Sequence, residues 1–268
     1  MKKPIVKMEV VESTSKNKNS KSRRRFIKMS GLAIAGSGVL LACDTDDVFD
    51  PGGETPVPEP EPEPEPDPDP EEPTAFDLGS GDVGILNYAL ALEQLEAAFY
   101  TAVREGDYYA GASDEEQQVI DDLYNHEVIH RDFLRAAILE AVGGDESQVL
   151  PELEFNLDSV DLSSRDSVLQ TAMALEDTGV GAYNGAGDRL ESATYLTIAG
   201  KIVSVEARHA SAIRSLLNPD SADFAGDDII DENGLDIEYD PAEVFEIAGP
   251  FIETEFTANE LPEPNTGS

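Results

Sequence analysis

Glu127-Val128-Ile129-His130 and Glu206-Ala207-Arg208-His209 are two copies of Glu-x-x-His in a chain of 268 residues that has only three histidines. Residues three apart on a helix are nearly one turn apart, so in each copy the carboxylate and the imidazole leave the same face. Each copy has a partner glutamate upstream on a separate predicted helix: Ala91-Leu92-Glu93 before the first and Ala174-Leu175-Glu176 before the second. Four carboxylates and two imidazoles are therefore expected to converge. One Glu from each of two helices, with Glu-x-x-His from each of two others, is the ligand set of dinuclear iron or manganese sites built inside helical bundles.

The two halves also resemble each other. Glu93 is followed by Tyr100 and Glu176 by Tyr183, both at plus seven, and the Glu93–Glu127 and Glu176–Glu206 separations are 34 and 30 residues. The chain reads as two helical hairpins of one design, each supplying half a site.

Apolar periodicity places four helices. The first runs from about Asp82 to Arg104, with Ile85, Leu86, Leu92, Leu95 and Phe99 on a broad apolar stripe. The second opens at the capping-box pattern Ser113-Asp114-Glu115-Glu116 and closes before Gly143-Gly144, its inward face reading Ile120, Leu123, Glu127, His130, Leu134. The third, about Ser164 to Asn184, groups Leu169, Ala172 and Met173 with Glu176, Val180 and Tyr183. In the fourth, about Leu190 to Leu217, Ala199, Ile202 and Val203 share a face with Glu206, His209, Ala210 and Ile213 before Asn218-Pro219 stops the helix. Every ligand candidate thus lies in an apolar stripe, where an unpaired carboxylate costs several kcal/mol or takes up a proton. A bound metal ion relieves that cost.

Short loops join helices one and two, and three and four, but roughly 20 residues from Gly143 to Ser163 separate the second from the third. That is enough chain to travel the length of a bundle. With Leu92-Glu93-Gln94-Leu95-Glu96-Ala97-Ala98-Phe99-Tyr100 and Val205-Glu206-Ala207-Arg208-His209-Ala210 as the strongest stretches, residues 80–217 resemble the ferritin-like domain family, in its exported bacterial branch. The resemblance implies an all-α four-helix bundle with one long crossover and a dinuclear site at Glu93, Glu127, His130, Glu176, Glu206 and His209. It does not fix an activity, since members store iron, reduce peroxide, handle oxygen or have no assigned reaction.

Several residues admit a plainer reading. Glu96, one turn beyond Glu93, is its rival as ligand, but Glu93 aligns with Glu176 whereas the counterpart of Glu96 is Gly179. His126 falls off the main face and reads as an edge residue, with support of a ligand from behind as the alternative, and Tyr100 and Tyr183 read first as aromatic packing, with a bond to a ligand or the supply of an electron as the alternative. Gly179, Gly181, Gly185 and Gly187 weaken the third helix by about 1 kcal/mol each if inside it, so the later two read as a frayed end. The segment Asp231-Glu232-Asn233-Gly234 fails the EF-hand register because Ile229 would occupy the first ligand position. The acidic tail, residues 218–268, reads as a wrapping loop and a short helix from Asp240-Pro241 to Ala248, with Phe245, Ile247, Phe251 and Ile252 as packing contacts.

Ahead of the bundle, assigned to residues 76–217, two segments cannot build a core. Ser22-Arg23-Arg24-Arg25-Phe26-Ile27-Lys28 resembles a twin-arginine export signal, and the apolar run after it ends in Leu40-Leu41-Ala42-Cys43, which resembles a lipobox. Residues 1–42 are thus expected to be a signal peptide, with Cys43, the only cysteine, lipidated and no disulfide possible. Residues 43–75 are acid and proline, a linker of the polyproline type that at about 3.1 Å per residue reaches up to roughly 100 Å. Residues 1–42 hold 10 of the 18 basic and 2 of the 56 acidic residues, leaving 8 and 54 and a charge near −46 beyond them. Such a surface repels nucleic acid, so that partner class is set aside.

The expectation is an exported protein, lipid-anchored in the bacterial cell envelope, whose two iron ions, with manganese as the alternative, meet oxygen or peroxide. Hard carboxylates with two imidazoles suit either metal. The rival is a non-catalytic envelope stress or scaffold protein that retains the bundle. No cysteine quartet is present to deliver electrons, which counts against a self-contained peroxidase of the rubrerythrin type.

Overall fold

The computed structural model describes residues 75–265. The expected signal peptide and all of the linker but its last residue, Cys43 among them, lie outside the described residues. A two-residue strand, β1 (Phe76–Asp77), leads into α1 (Gly81–Glu105), a short α2 (Asp107–Gly111), α3 (Asp114–Ala141), α4 (Arg165–Gly187), α5 (Ala193–Leu217), α6 (Pro241–Ala248) and a closing strand β2 (Phe256–Thr257). α1 packs on α3 and α4 on α5, and the hairpins meet through α1 with α4 and α3 with α5. No helix among the described residues is long and apolar enough to cross a membrane.

The capping box expected at the start of the second helix is present: Ser113 accepts from the Glu116 amide, and the Glu116 carboxylate accepts from the Ser113 amide. α3 then keeps one buried face, Ile120, Leu123, Glu127, Leu134 and Ile138, as its 3.6-residue period requires. α1 is different. Every residue from Gly84 to Ala97 is buried, because the crossover and the C-terminal extension cover the side that the bundle leaves open.

Two amides on α1, seven residues apart, fasten the crossover. Asn87 donates to the carbonyls of Leu78 and Gln148 and accepts from the Leu150 amide, while Gln94 donates to the Pro151 carbonyl and accepts from the Leu153 amide. These buried side chains satisfy backbone groups that a loop crossing a core would otherwise leave unpaired. Leu150, fully buried, and Leu153 then close over α1.

The extension wraps back onto the end of α4. Gly185 and Gly187 lie inside that helix, which runs on to Gly187, so the frayed end expected there does not occur. A Cβ on Gly185 would overlap the carbonyl oxygen of Tyr239, and the Tyr239 amide donates to the Gly181 carbonyl at 3.0 Å. Glycine is needed because backbone meets backbone. Buried Arg189 ties the same region together, donating to the Gly185 and Pro262 carbonyls and pairing with Asp240. Arg214, 2% exposed, bridges Asp177 of α4 and Asp228 of the extension. β2 pairs parallel with β1, a contact absent from the sequence reading. Phe245, Phe251 and Ile252 pack on the core, but Ile247 is 37% exposed and does not take the packing role expected of it.

Candidate metal centre

The six side chains named from the sequence meet midway along the bundle. Glu93 comes from α1, Glu127 and His130 from α3, Glu176 from α4, and Glu206 and His209 from α5. They form two groups that share members: Glu93, Glu127, His130 and Glu206 in one, and Glu127, Glu176, Glu206 and His209 in the other, with one ligand atom per residue inside a span of 4.8 Å in each. Glu127 and Glu206 belong to both groups, so each can offer one oxygen to either side.

Both imidazoles aim Nδ1 inward. His130 Nδ1 lies 2.9 Å from Glu206, 3.3 Å from Glu93 and 3.3 Å from Glu127; His209 Nδ1 lies 2.9 Å from Glu127, 3.1 Å from Glu206 and 3.3 Å from Glu176. The two halves therefore repeat each other in space as they do in sequence. All four glutamates are fully buried. One nitrogen carries at most one hydrogen, so it cannot satisfy the three oxygens around it, and each glutamate keeps one buried oxygen without a hydrogen-bond donor: Glu93 Oε2, Glu127 Oε1, Glu176 Oε2 and Glu206 Oε1. Orphaned carboxyl oxygens facing two imidazole nitrogens are what divalent cations would satisfy. The donor set fits hard or borderline metal ions.

Without a cation the cluster retains protons. Burial pushes Glu93 well above the usual carboxylate range, reinforced by repulsion from Glu206, and burial lifts Glu176 to about 8 although His209 opposes it. Burial alone would raise Glu127 as well, but the imidazoles of His130 and His209 beside it outweigh burial and hold this carboxyl at about 2. Burial disfavours a charged His130, yet Glu127, Glu206 and Glu93 together lift it to about 12; His209 is raised likewise by Glu127, Glu176 and Glu206. Buried carboxyls and imidazoles thus shift one another in opposite senses.

The tyrosines at plus seven belong to the site. Tyr100 donates to Glu176 Oε1 and Tyr183 to Glu93 Oε1, each at 2.5 Å, so each hairpin's tyrosine holds the other hairpin's glutamate. Both rings pack in the core as expected, and their hydroxyls add a polar role. The repeat of Glu and Tyr at one spacing was the signal, and helix period alone could not show that the bond crosses the bundle.

His126 also joins the site, against its reading as an edge residue. Its Nδ1 lies 2.9 Å from Nε2 of His209, and the two rings are within 9° of one plane. His126-Glu127-Val128-Ile129-His130 has the spacing of a zinc-peptidase helix, a signal for His126 that position on the helix wheel hid. The ring does not pair with His130 as that chemistry needs, and neither metal-type group includes it. Glu96 is buried too, without a cation partner, and burial with repulsion from Glu176 raises its carboxyl far above the usual range. Its Oε1 stands 3.0 Å from where a Cβ on Gly179 would be, so the glycine opposite makes room for it.

An apolar cavity of ≈ 20 Å³ lies within the bundle, lined by Ala89, Leu134, Ala182, Tyr183 and Ile202 among others. Ala89, Leu134 and Ile202 are each one helical turn from Glu93, His130 and Glu206, so the cavity sits one layer from the carboxylates.

The ferritin-like domain family matches residues 81–219, a little over half of the chain, from the first residue of α1 to just past the end of α5. No curated protein matches the chain.

Proposed function

The chain belongs to the ferritin-like domain family, and on that premise we propose that it holds two iron ions at Glu93, Glu127, His130, Glu176, Glu206 and His209 and reduces dioxygen or peroxide there. The observation that carries the reading is the set of four orphaned oxygens, one per glutamate, around two inward imidazole nitrogens. Two ferrous ions supply two electrons, enough to take peroxide and two protons to two waters, or dioxygen and two protons to peroxide. Manganese fits the same donors.

The protein's residues do the remaining work. Glu127 and Glu206, which belong to both groups, would hold both ions, and Glu93 and Glu176 would each hold one, each kept in orientation by a tyrosine of the other hairpin. Burial keeps bulk water away and leaves protons on Glu93 and Glu176 in the empty cluster, so binding cations releases protons. The cavity one layer away has room for about one water-sized molecule and an apolar lining, which suits dioxygen.

We also propose export by the twin-arginine route and a lipid anchor at Cys43, which rest on Ser22–Lys28 and on Leu40-Leu41-Ala42-Cys43. That route carries folded proteins, so the bundle could take up metal before it leaves the cytoplasm.

Rapid mixing tests the redox reading. Ferrous-loaded protein should oxidise within seconds of meeting dioxygen or peroxide, gaining near-ultraviolet absorption of ferric iron, and Glu127→Ala or His209→Ala should abolish the change while leaving helical circular dichroism largely intact. No spectral change with either oxidant in fully loaded protein would leave a non-redox envelope protein as the better account.

A further inference from the structure

The six candidate ligands repeat from one half of the site to the other, but what stands behind the two imidazoles does not. His209 and His130 both turn Nδ1 toward three carboxylates, yet only His209 has a partner on its far nitrogen: His126, on α3, places Nδ1 2.9 Å from His209 Nε2. No described residue hydrogen-bonds Nε2 of His130. The position in the second hairpin that corresponds to His126 is Val205, which has nothing to offer. The rings of His126 and His209 are 5.1 Å apart and nearly coplanar, the separation of two imidazoles joined nitrogen to nitrogen in one plane. They meet edge to edge, with the hydrogen bond along the line between them.

A metal ion on Nδ1 of His209 requires that nitrogen to be bare, so the ring's proton must sit on Nε2. Nδ1 of His126 is the acceptor for it, and His126 in turn keeps its own hydrogen on Nε2. This arrangement fixes both the tautomer and the plane of the ligand, and it raises the ligand's basicity. No described residue does the same for His130.

We propose that His126 is a positioning residue that makes the two metal positions unequal, so that the position formed by Glu127, Glu176, Glu206 and His209 fills before the one formed by Glu93, Glu127, His130 and Glu206. The inference rests on the dinuclear reading of the site and adds to it an order of filling and the residue that sets it.

Cobalt(II), titrated into the full chain under nitrogen and followed by its visible spectrum, reads the two steps separately. Wild-type protein should bind two equivalents in sequence, His209→Ala removing the first and His130→Ala the second. His126→Leu, at an exposed position, should weaken the first step by about 10- to 100-fold and leave the second within a few-fold. His126→Asn should restore it, because the amide oxygen can accept the same Nε2 hydrogen. Unchanged steps in His126→Leu, or a loss in His126→Asn as large as in His126→Leu, would overturn the proposal while leaving the dinuclear site intact. Fewer than two equivalents in the wild type would instead overturn the dinuclear reading, and the inference with it.

Discussion

Tyr183 of α4 donates its hydroxyl hydrogen to Glu93 of α1 at 2.5 Å, the mirror of the bond from Tyr100 of α1 to Glu176 of α4. Both tyrosines are buried, so each bond orients a carboxylate from a rigid side chain and also stitches the two hairpins together. Loss of either hydroxyl leaves a buried carboxylate oxygen with no donor. Tyr183→Phe and Tyr100→Phe should therefore each lower the unfolding free energy of metal-free protein by about 1–3 kcal/mol, as read by denaturant titration. Near-zero effects in both would show that the bonds do not hold the hairpins together.

Glu93 and Glu96 face the interior from successive turns of α1, but only Glu93 lies in a metal-type group. Glu93→Ala should cost about one equivalent of bound metal, measured by elemental analysis after dialysis. Glu96→Ala should keep both equivalents and stabilise the metal-free protein, since it removes a buried carboxyl that has no cation beside it. The reverse pattern would move the ligand one turn along the helix.

The pH dependence of the metal-free protein should run opposite to that of a protein held by ordinary ion pairs. Glu176 rises from an ordinary 4.5 to about 8 and His130 from 6.5 to about 12, so between roughly pH 5 and 8 the folded state binds more protons than the unfolded one. Stability therefore falls as pH rises through that window. Glu127, held at about 2, acts in the other sense, contributing stability above 4.5 that disappears as pH falls through 2. Metal competes with these protons for the same oxygens and nitrogens, so metal affinity should climb across pH 5 to 8 while metal-free thermal stability declines. Melting temperatures that rise with pH in the metal-free protein would contradict this account of the cluster's charge.

Gly185 lets the Tyr239 backbone lie against α4. Gly185→Ala forces backbone away from backbone, which no rotamer change can relieve, and should destabilise the protein by about 1–3 kcal/mol. Limited proteolysis should then cut within 218–268 far faster than in the wild type, with metal stoichiometry unchanged. Equal cleavage rates would mean that the extension is held elsewhere, at Arg189 and Arg214.

Four long helices and the meeting of six side chains were legible because both depend on local period: Glu127 and His130 share a face on any helix, and Ile120, Leu123 and Leu134 say which face is inside. What the period does not carry was missed. His126 lies off the inward face of its own helix and reaches the site only because α5 brings His209 beside it. The Tyr100–Glu176 and Tyr183–Glu93 bonds join residues 76 and 90 apart, and no spacing within one hairpin reveals them. Gly185 looked like a helix end because glycine propensity is local, whereas its cause, the carbonyl of Tyr239, lies far along the chain. The β1–β2 pair, two residues long and joining both ends of the described chain, has too little pattern to be seen.

The central claim is that the cluster holds two metal ions, and anaerobic titration of metal-free protein with ferrous iron tests it most directly. The account predicts saturation near two ions per chain, falling toward one when Glu93 or Glu176 is replaced by Ala and toward none when Glu127, which belongs to both groups, is replaced. Saturation at zero or one ion in the wild-type protein would contradict it.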